Sequence, residues 1–366
     1  PLLSYWAAAV QIAAPECYSR RPVVPGFHRP RLAVTVWPRY LSRSTHFNMA
    51  GALTRSEIDG LIIAPRSLSV KISDVKFSAL FLPILCVFTT RTVVSLDTLM
   101  KAGYEVHIYA RHPEKVADVV SEGAVPHGSI AECVKASEVV ITMVGFPKDV
   151  EEVYFAPGNI LDSAAKGMAL IDMTTTSPTL AQRIYQEGAA RGLRVLDAPV
   201  TGGDSGARAG TLSILVGSDQ ADFDACLPIF QAMGTNITYF GSAGCGQHAK
   251  MANQIMIAGA LSGVCEALTY AKAEGLDGNT LLGAVSTGAA GSKQLDFQGK
   301  KILAGDFAPG FFMKHFVKDM RLAEEEAENA GLDLNVLQQA LSNCQSLIDR
   351  GCGDLGTQAL IKFYEK

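Results

Sequence analysis

Residues 138–198 read EVVITMVGFPKDVEEVYFAPGNILDSAAKGMALIDMTTTSPTLAQRIYQEGAARGLRVLDA. Three short runs in this stretch have the composition of strands: Glu138–Val144 (EVVITMV), Met168–Met173 (MALIDM) and Arg194–Ala198 (RVLDA). Between them Asp149–Phe155 and Pro178–Arg191 read as helices. The alternation already begins upstream, with Tyr104–Ala110 (YEVHIYA) as a strand and Pro113–Glu122 and Ser129–Ala136 as helices. Strands alternating with helices predict a parallel sheet wrapped on both faces. Downstream, Thr211–Val216 and Asn236–Phe240 add two strands around one helix, Gln220–Met233. Past Gly246 the strand signal ends. Gln247–Glu274 predicts one helix about 40 Å long at 1.5 Å per residue, apolar on most sides and therefore expected between other elements (Met251, Ile255, Met256, Leu261, Val264, Leu268). Helices near 278–287, 315–330, 334–349 and 356–363 follow. The expectation is an α/β domain over 76–242 and an all-α domain over 243–366.

The chain has 366 residues, of which 48% are apolar and 19% charged. Composition of this kind supports a large core and excludes wholesale disorder. A net charge of −4 argues against a nucleic-acid protein with a basic surface. Eight cysteines contain no C-x-x-C pair, which favours free thiols in a reducing compartment, cytoplasmic or mitochondrial. The apolar run Phe77–Phe88 holds Pro83 and is shorter than the ~20 residues of a spanning helix, so it reads as a buried strand, and no membrane partner is expected. Residues 1–75 read as a tail. Its first 56 residues carry seven arginines, no lysine and one acid, Glu16, in the manner of an organelle transit peptide. Prolines 15, 22, 25, 30 and 38 break any long amphipathic helix there. A disordered tail and a stretch foreign to the natural protein are the alternatives.

Three stretches carry chemistry. In Asp197–Leu212 (DAPVTGGDSGARAGTL), Pro199 ends a strand, and Gly202, Gly203, Gly206 and Gly210 let the backbone approach a ligand. Bare N–H groups beside the Thr201 hydroxyl suit a carboxylate; a plain glycine-rich turn is the other reading. In Gly244–Gln254 (GCGQHAKMANQ), Lys250 falls in the first turn of the long helix, with Asn253 and Gln254 on the same face. The positive end of the helix dipole and burial both lower a lysine pKa towards a usable acid or base. In His315–Ala323 (HFVKDMRLA), Lys318 and Asp319 open an amphipathic helix, and on their own they read as a solvated ion pair.

Taken in this order, and with LMKAGYEVHIYAR (99–111), VITMVGFPKDVEEVYF (140–155), LIDMTTTSP (170–178) and GAAGSKQLD (288–296), the three stretches resemble the β-hydroxyacid dehydrogenases. That family includes 3-hydroxyisobutyrate dehydrogenases and tartronate semialdehyde (2-hydroxy-3-oxopropionate) reductases. The resemblance spans residues 96–366, about three quarters of the chain. It implies a Rossmann-type dinucleotide-binding domain followed by an all-α domain of the 6-phosphogluconate dehydrogenase kind. It implies an NAD- or NADP-dependent oxidoreductase that acts on a small carboxylate substrate, a 3-hydroxy acid or its semialdehyde, as a homodimer or homotetramer. Lys250 matches the catalytic lysine. Asn253 and Gln254 match the substrate-holding amides, and Thr201, Gly202 and Gly203 the carboxylate loop. Val144, Gly145 and Thr175 match cofactor-contacting loops, and Lys318 a lysine that reaches the cofactor. Arg111 follows the strand YEVHIYA, where an acid would favour the ribose of NAD; arginine can pair with a 2′-phosphate, which favours NADP. No metal is implied. A glyoxylate or succinic semialdehyde reductase is an alternative; imine-reducing relatives lack the lysine, and the sugar-phosphate type needs a larger helical domain.

One departure stands out. The family opens with strand, G-x-G-x-x-G and helix, and the corresponding stretch, Leu85–Leu96 (LCVFTTRTVVSL), has no glycine. β-Branched Thr89, Thr90, Thr92, Val93 and Val94 would crowd a pyrophosphate and resist positive φ. Either residues 1–95 come from a wrong exon boundary, or the chain is a paralogue with damaged cofactor binding, at the extreme a non-catalytic binding protein. The abrupt resumption of the match in mid-helix favours the first. A chimera in which residues 84–95 are replaced by a strand and a G-x-G-x-x-G turn should bind dinucleotide roughly two to four orders of magnitude more tightly than this chain, the worth of about two charge-assisted hydrogen bonds. Calorimetric titration of the two proteins checks this, and equal affinity overturns it.

Overall fold

The computed structural model describes residues 83–88 and 96–365. The tail expected at 1–75 and the glycine-free turn at 89–95 lie outside the described residues. Every described residue belongs to one compact unit.

The strands are β1 (Pro83–Phe88), β2 (Glu105–Ala110), β3 (Val125–Pro126), β4 (Val139–Met143), β5 (Ala169–Asp172), β6 (Arg194–Asp197), β7 (Val200–Thr201), β8 (Leu212–Gly217) and β9 (Gly234–Gly241). The helices among them are α1 (Leu96–Lys101), α2 (Ala117–Ser121), α3 (Ile130–Lys135), α4 (Pro147–Phe155), α5 (Ile160–Ser163), α6 (Pro178–Ala190), α7 (Gly203–Ala209) and α8 (Gln220–Met233). The sheet order is β3-β2-β1-β4-β5-β6-β8-β7, with β9 on β8. The first six strands run parallel. Their order 3-2-1-4-5-6 is the doubly wound arrangement, whose switch point lies between β1 and β4.

These strands are buried on both sides, so their apolar residues are nearly continuous. Val139 and Ile141 of β4, Ala169 and Ile171 of β5 and Leu196 of β6 face a core closed by Leu96, Leu99, Phe223 and Phe230. Val140, Leu170 and Val195 face the opposite core with Cys133, Val150, Val153, Tyr154 and Ile184. Helix starts are marked where the sequence offers a cap: the Ser129 and Ser177 hydroxyls accept from the amides of Glu132 and Leu180, and Pro178 fits the first turn of α6.

The sheet departs from the all-parallel expectation at its far end. β8 is antiparallel to β6 and β7 and parallel to β9. Only residues 202–211 separate β7 from β8, too short a link for a parallel crossover, whereas α8 supplies that crossover between β8 and β9. The glycine-rich stretch also holds a helix not foreseen as one, α7. Gly206 is buried under Leu212 and Gly210 takes the left-handed conformation that ends α7, so these two glycines serve packing and capping.

Past β9 the chain is helical: α9 (Cys245–Ala273), α10 (Gly278–Val285), a π-helical turn (Gln294–Gly299), α11 (Lys300–Leu303), α12 (Met313–Asn329), α13 (Asn335–Asp349) and α14 (Ile361–Tyr364). Met251, Ala258, Leu261, Val264 and Leu268 of α9 meet Phe316, Met320, Leu341 and Leu347 of α12 and α13. Among the described residues α9 is the one helix long and apolar enough to cross a membrane by length and composition, with a mean hydropathy of 1.2 over its best window. It packs as a core helix, with buried Gln247, Lys250 and Gln254 on its inner face. Its burial is one-sided: Met256 and Tyr270 are 68% and 67% exposed, so the expectation that Met256 packs between other elements fails on that face. The six described cysteines Cys133, Cys226, Cys245, Cys265, Cys344 and Cys352 are free thiols.

α9 meets the sheet at an unusually close approach. A Cβ on Gly246 would stand 2.5 Å from the Leu215 carbonyl oxygen and 2.7 Å from that of Asp197. Gly246→Ala should therefore cost ~1–3 kcal/mol by forcing α9 off the sheet. Urea unfolding checks this, and an unchanged midpoint would show that the junction yields freely.

Candidate active site

The carboxyl ends of the parallel strands define one edge of the sheet. Arg111 follows β2, Val144 and Gly145 follow β4, Thr175 follows β5, and Asp197 ends β6 just before Val200 and Thr201. Ligands of open parallel sheets bind along that edge, outside the switch point. Arg111, Val144, Gly145 and Thr175 thus share one edge because each follows a strand end.

Two carboxylates at the edge organise it. Asp172 and Asp197 are register partners on β5 and β6 and are both buried. The Asp172 Oδ1 accepts from the Thr142 hydroxyl (2.8 Å) and from the Thr174 amide (3.1 Å), and the Val144 amide donates to the Thr174 hydroxyl (2.9 Å). The loops after β4 and β5 are thereby laced together. Asp197 accepts from the Gly244 amide at 2.7 Å and the Gln247 amide at 2.8 Å, at the start of α9. Burial pushes both carboxyls up to about 6, against the pull of the donated hydrogen bonds.

Lys250 is six residues into α9, in its second turn, because the helix begins at Cys245 and not at Gln247. The helix dipole is correspondingly weaker there, and the sequence argument from the first turn is corrected: burial does the work. Lys250 is 7% exposed, and burial pushes its ammonium down to about 8, with the Lys318 charge pushing the same way and the Asp319 carboxylate opposing. Its Nζ donates to the Val200 carbonyl at 2.9 Å, one residue from the Thr201–Gly203 loop. Gly202 and Gly203 are exposed and have φ of +133° and +65°, a backbone that favours glycine.

One turn on, the Asn253 amide donates to Gln254 Oε1 at 2.7 Å and Gln254 Nε2 donates to Asp319 Oδ2 at 2.6 Å. The other Asp319 oxygen pairs with Lys318 at 2.8 Å, and Lys318 also donates to the Thr175 carbonyl at 2.5 Å. Asp319 is 1% exposed, so the solvated pair expected from sequence is a buried one. The signal was present: Asp319 stands three residues after Phe316 and four before Ala323, on the apolar face of α12.

His315, which the sequence reading passed over, closes the space beside Gly145. It shares a backbone hydrogen bond with Gly145 and lies against Phe146 and Phe312, and burial followed by the Lys318 charge lowers its pKa. A Cβ on Gly145 would stand 3.4 Å from His315 and 3.5 Å from Asp149, in ordinary van der Waals contact, so its absence leaves that space open. Arg111 forms a separate group at the far end of the edge. Its guanidinium is 44% exposed and pairs with Glu152 at 3.1 Å and Asp149 at 3.7 Å.

Comparison with known proteins agrees with this geometry. Residues 96–241 match the profile of the NAD binding domain of 6-phosphogluconate dehydrogenase, and residues 244–364 that of the NAD-binding domain of NADP-dependent 3-hydroxyisobutyrate dehydrogenase. The chain is 45% identical over 268 residues to the uncharacterized oxidoreductase YkwC of Bacillus subtilis, covering 73% of this chain and 93% of that one. The chain belongs to the β-hydroxyacid dehydrogenase family. As a member of that family it is an NAD(P)-dependent oxidoreductase acting on CH–OH groups. It is 42% identical over 269 residues to a probable 3-hydroxyisobutyrate dehydrogenase-like protein, mitochondrial, of Arabidopsis thaliana, covering 73% of this chain and 80% of that one. The solved 3-hydroxyisobutyrate dehydrogenase of Mycobacterium tuberculosis with L-serine superposes with a TM-score of 0.71 at 25% identity, over 78% of this chain and 100% of that one. The first profile begins at Leu96, directly after the glycine-free stretch.

The described part of the edge, after β4 and β5, fits a dinucleotide of the kind the family uses. Gly145 leaves a cradle that a Cβ would fill, and the loops after β4 and β5 present main chain at the switch point. Asp172→Asn tests the electrostatics of this edge. The carboxyl is raised from 3.8 to about 6 in the folded protein, so between those values the folded state holds more protons than the unfolded one. Wild-type stability therefore falls as pH rises through that window, and the variant is spared that loss. Its stability relative to wild type should rise by up to about 3 kcal/mol between pH 4 and pH 7. Urea melts across that range check the trend, and a falling difference refutes it.

Proposed function

We propose that this dehydrogenase interconverts a small 3-hydroxy acid and its semialdehyde, in the manner of a 3-hydroxyisobutyrate dehydrogenase or a 2-hydroxy-3-oxopropionate reductase. The observation that carries the reading is the buried Lys250 ammonium, tuned to about 8 and 2.9 Å from the Val200 carbonyl beside the Thr201–Gly203 loop. A substrate carboxylate seated on the Thr201 hydroxyl and the amides of Gly202 and Gly203 would place its carbonyl carbon within reach of that lysine. Asn253 and Gln254 would orient the carbonyl oxygen. Lys250 donates a proton to that oxygen in reduction and withdraws it from the alcohol in oxidation. When bound, a dinucleotide would supply or take the hydride. Val144, Gly145, Thr175 and Lys318 would hold it, and Arg111 would read its ribose end. An NADP preference requires Arg111 to exchange its Glu152 and Asp149 partners for a 2′-phosphate, a stronger acceptor with more charge.

The names of the relatives support a 3-hydroxy acid as substrate, and L-serine in the mycobacterial structure is itself one. The mitochondrial name of the Arabidopsis relative supports a mitochondrial address. The apolar outer face of α9, with Met256 and Tyr270 exposed, supports a homodimer or homotetramer.

In a version of the protein with an intact glycine loop, Lys250→Ala should lower kcat by ~10²–10⁴ with dinucleotide affinity near normal. In wild type the oxidation rate should rise with pH through about 8, since it needs the neutral amine, and the reduction rate should fall through the same value, since it needs the ammonium. Steady-state rates in both directions check this. A variant that keeps most of its kcat would remove Lys250 from the role.

A further inference from the structure

Gln247 is fully buried one helical turn before Lys250. It belongs to none of the groups assigned above, yet its side chain makes two long-range bonds. Its Nε2 donates to the Thr174 carbonyl at 2.7 Å, and its Oε1 accepts from the Thr176 amide at 3.1 Å. The orientation of the amide is fixed by chemistry, because a carbonyl can only accept and a backbone N–H can only donate. The two bonds bracket Thr175, whose own carbonyl receives the Lys318 ammonium. The backbone amide of Gln247 is meanwhile held by Asp197. One residue thus joins the end of β6, the turn after β5 and the helix that carries Lys250.

We propose that Gln247 is a positioning residue that fixes the Thr174–Thr176 main chain, and with it the cofactor edge, at a set distance from Lys250. The proposal rests on the dehydrogenase reading for the consequence in catalysis, while the bracket itself stands on geometry alone. Neither a nonpolar nor an ionised side chain can make both bonds. A protonated carboxyl can: its O–H donates to Thr174 and its C=O accepts from Thr176. Its ionised form offers two acceptors and sets one oxygen against the Thr174 carbonyl.

The test uses the full chain, Gln247→Glu and Gln247→Leu, with Lys250→Ala as a control. Hydrogen exchange is followed over residues 173–178 and over the interior of α9, and turnover is measured beside it. Asp172, Asp197 and Lys250 titrate nearby in wild type and in both Gln247 variants, beside the Lys318–Asp319 pair, so each pH profile is read as a ratio to wild type. Gln247→Leu should lose at least tenfold protection at the Thr176 amide with the α9 interior unchanged, and kcat should drop ten- to a hundredfold at an unaltered KM for the hydroxy acid. Gln247→Glu should match wild type at low pH and approach the leucine variant as pH rises. Retained protection and turnover in Gln247→Leu, or a pH-flat ratio for Gln247→Glu, overturns the proposal. Loss of protection along the whole of α9 in both variants overturns it too, because the role would then be structural only. If a version with an intact glycine loop shows the exchange pattern but no turnover on any hydroxy acid, the dehydrogenase reading fails and the bracket stands.

Discussion

The carboxylate of Asp197, received by the amides of Gly244 and Gln247, joins the two halves of the molecule. Burying a carboxylate is costly unless it is hydrogen-bonded. Here the first turn of α9 supplies both the donors and the favourable end of its dipole. The contact closes only because Gly217 and Gly246 have no side chains: a Cβ on either would collide with Asp197 or the neighbouring main chain. With that end of α9 fixed, Lys250 reaches back to Val200, three residues after Asp197. Sheet edge and lysine form a closed ring of contacts, so the place of the lysine does not depend on a mobile loop.

The charges around that ring are arranged in series. Asp319 stands between Lys318, which it pairs with directly, and Gln254, whose amide it orients. Its field opposes the loss of the Lys250 proton, while burial and Lys318 promote it. The outcome is a lysine near the middle of its working range, reached by balance between opposing influences. Such balance is sensitive to any nearby charge, which explains why the surroundings are otherwise small or apolar: Ala249, Met251 and Ala252 flank Lys250 in sequence.

Much of the fold was legible because its strands are buried on both faces and so are nearly unbroken runs of Val, Ile and Leu. α8 was placed at Gln220–Met233, the same bounds as in the structure. The antiparallel turn of β8 was not legible, since it follows from the length of the β7–β8 link and not from any residue pattern. The strand ends around the candidate site were legible where motif and strand end coincide, as at Val144, Gly145, Thr175 and Thr201. Asp319 was misjudged because adjacent Lys and Asp usually solvate each other, and only its place on the apolar stripe of α12 marks it as buried. Gln247 carries no local signal at all. Its partners lie more than seventy residues away, and nothing in a single sequence couples them.

The close seam of Gly217, Asp197 and Gly246 also bears on how such chains can be exchanged between relatives. β8 contributes Gly217, β6 contributes Asp197 and α9 contributes Gly246, so three segments on both sides of residue 242 meet within van der Waals contact. A crossover at that residue would join a sheet from one parent to a helix from another across a gap with no room for a methyl group. Hybrids cut there would inherit both halves of the fold and lose the fit between them. Crossovers that carry residues 197–247 as one block would preserve it, which makes this seam, and not the end of the sheet, the natural unit of inheritance.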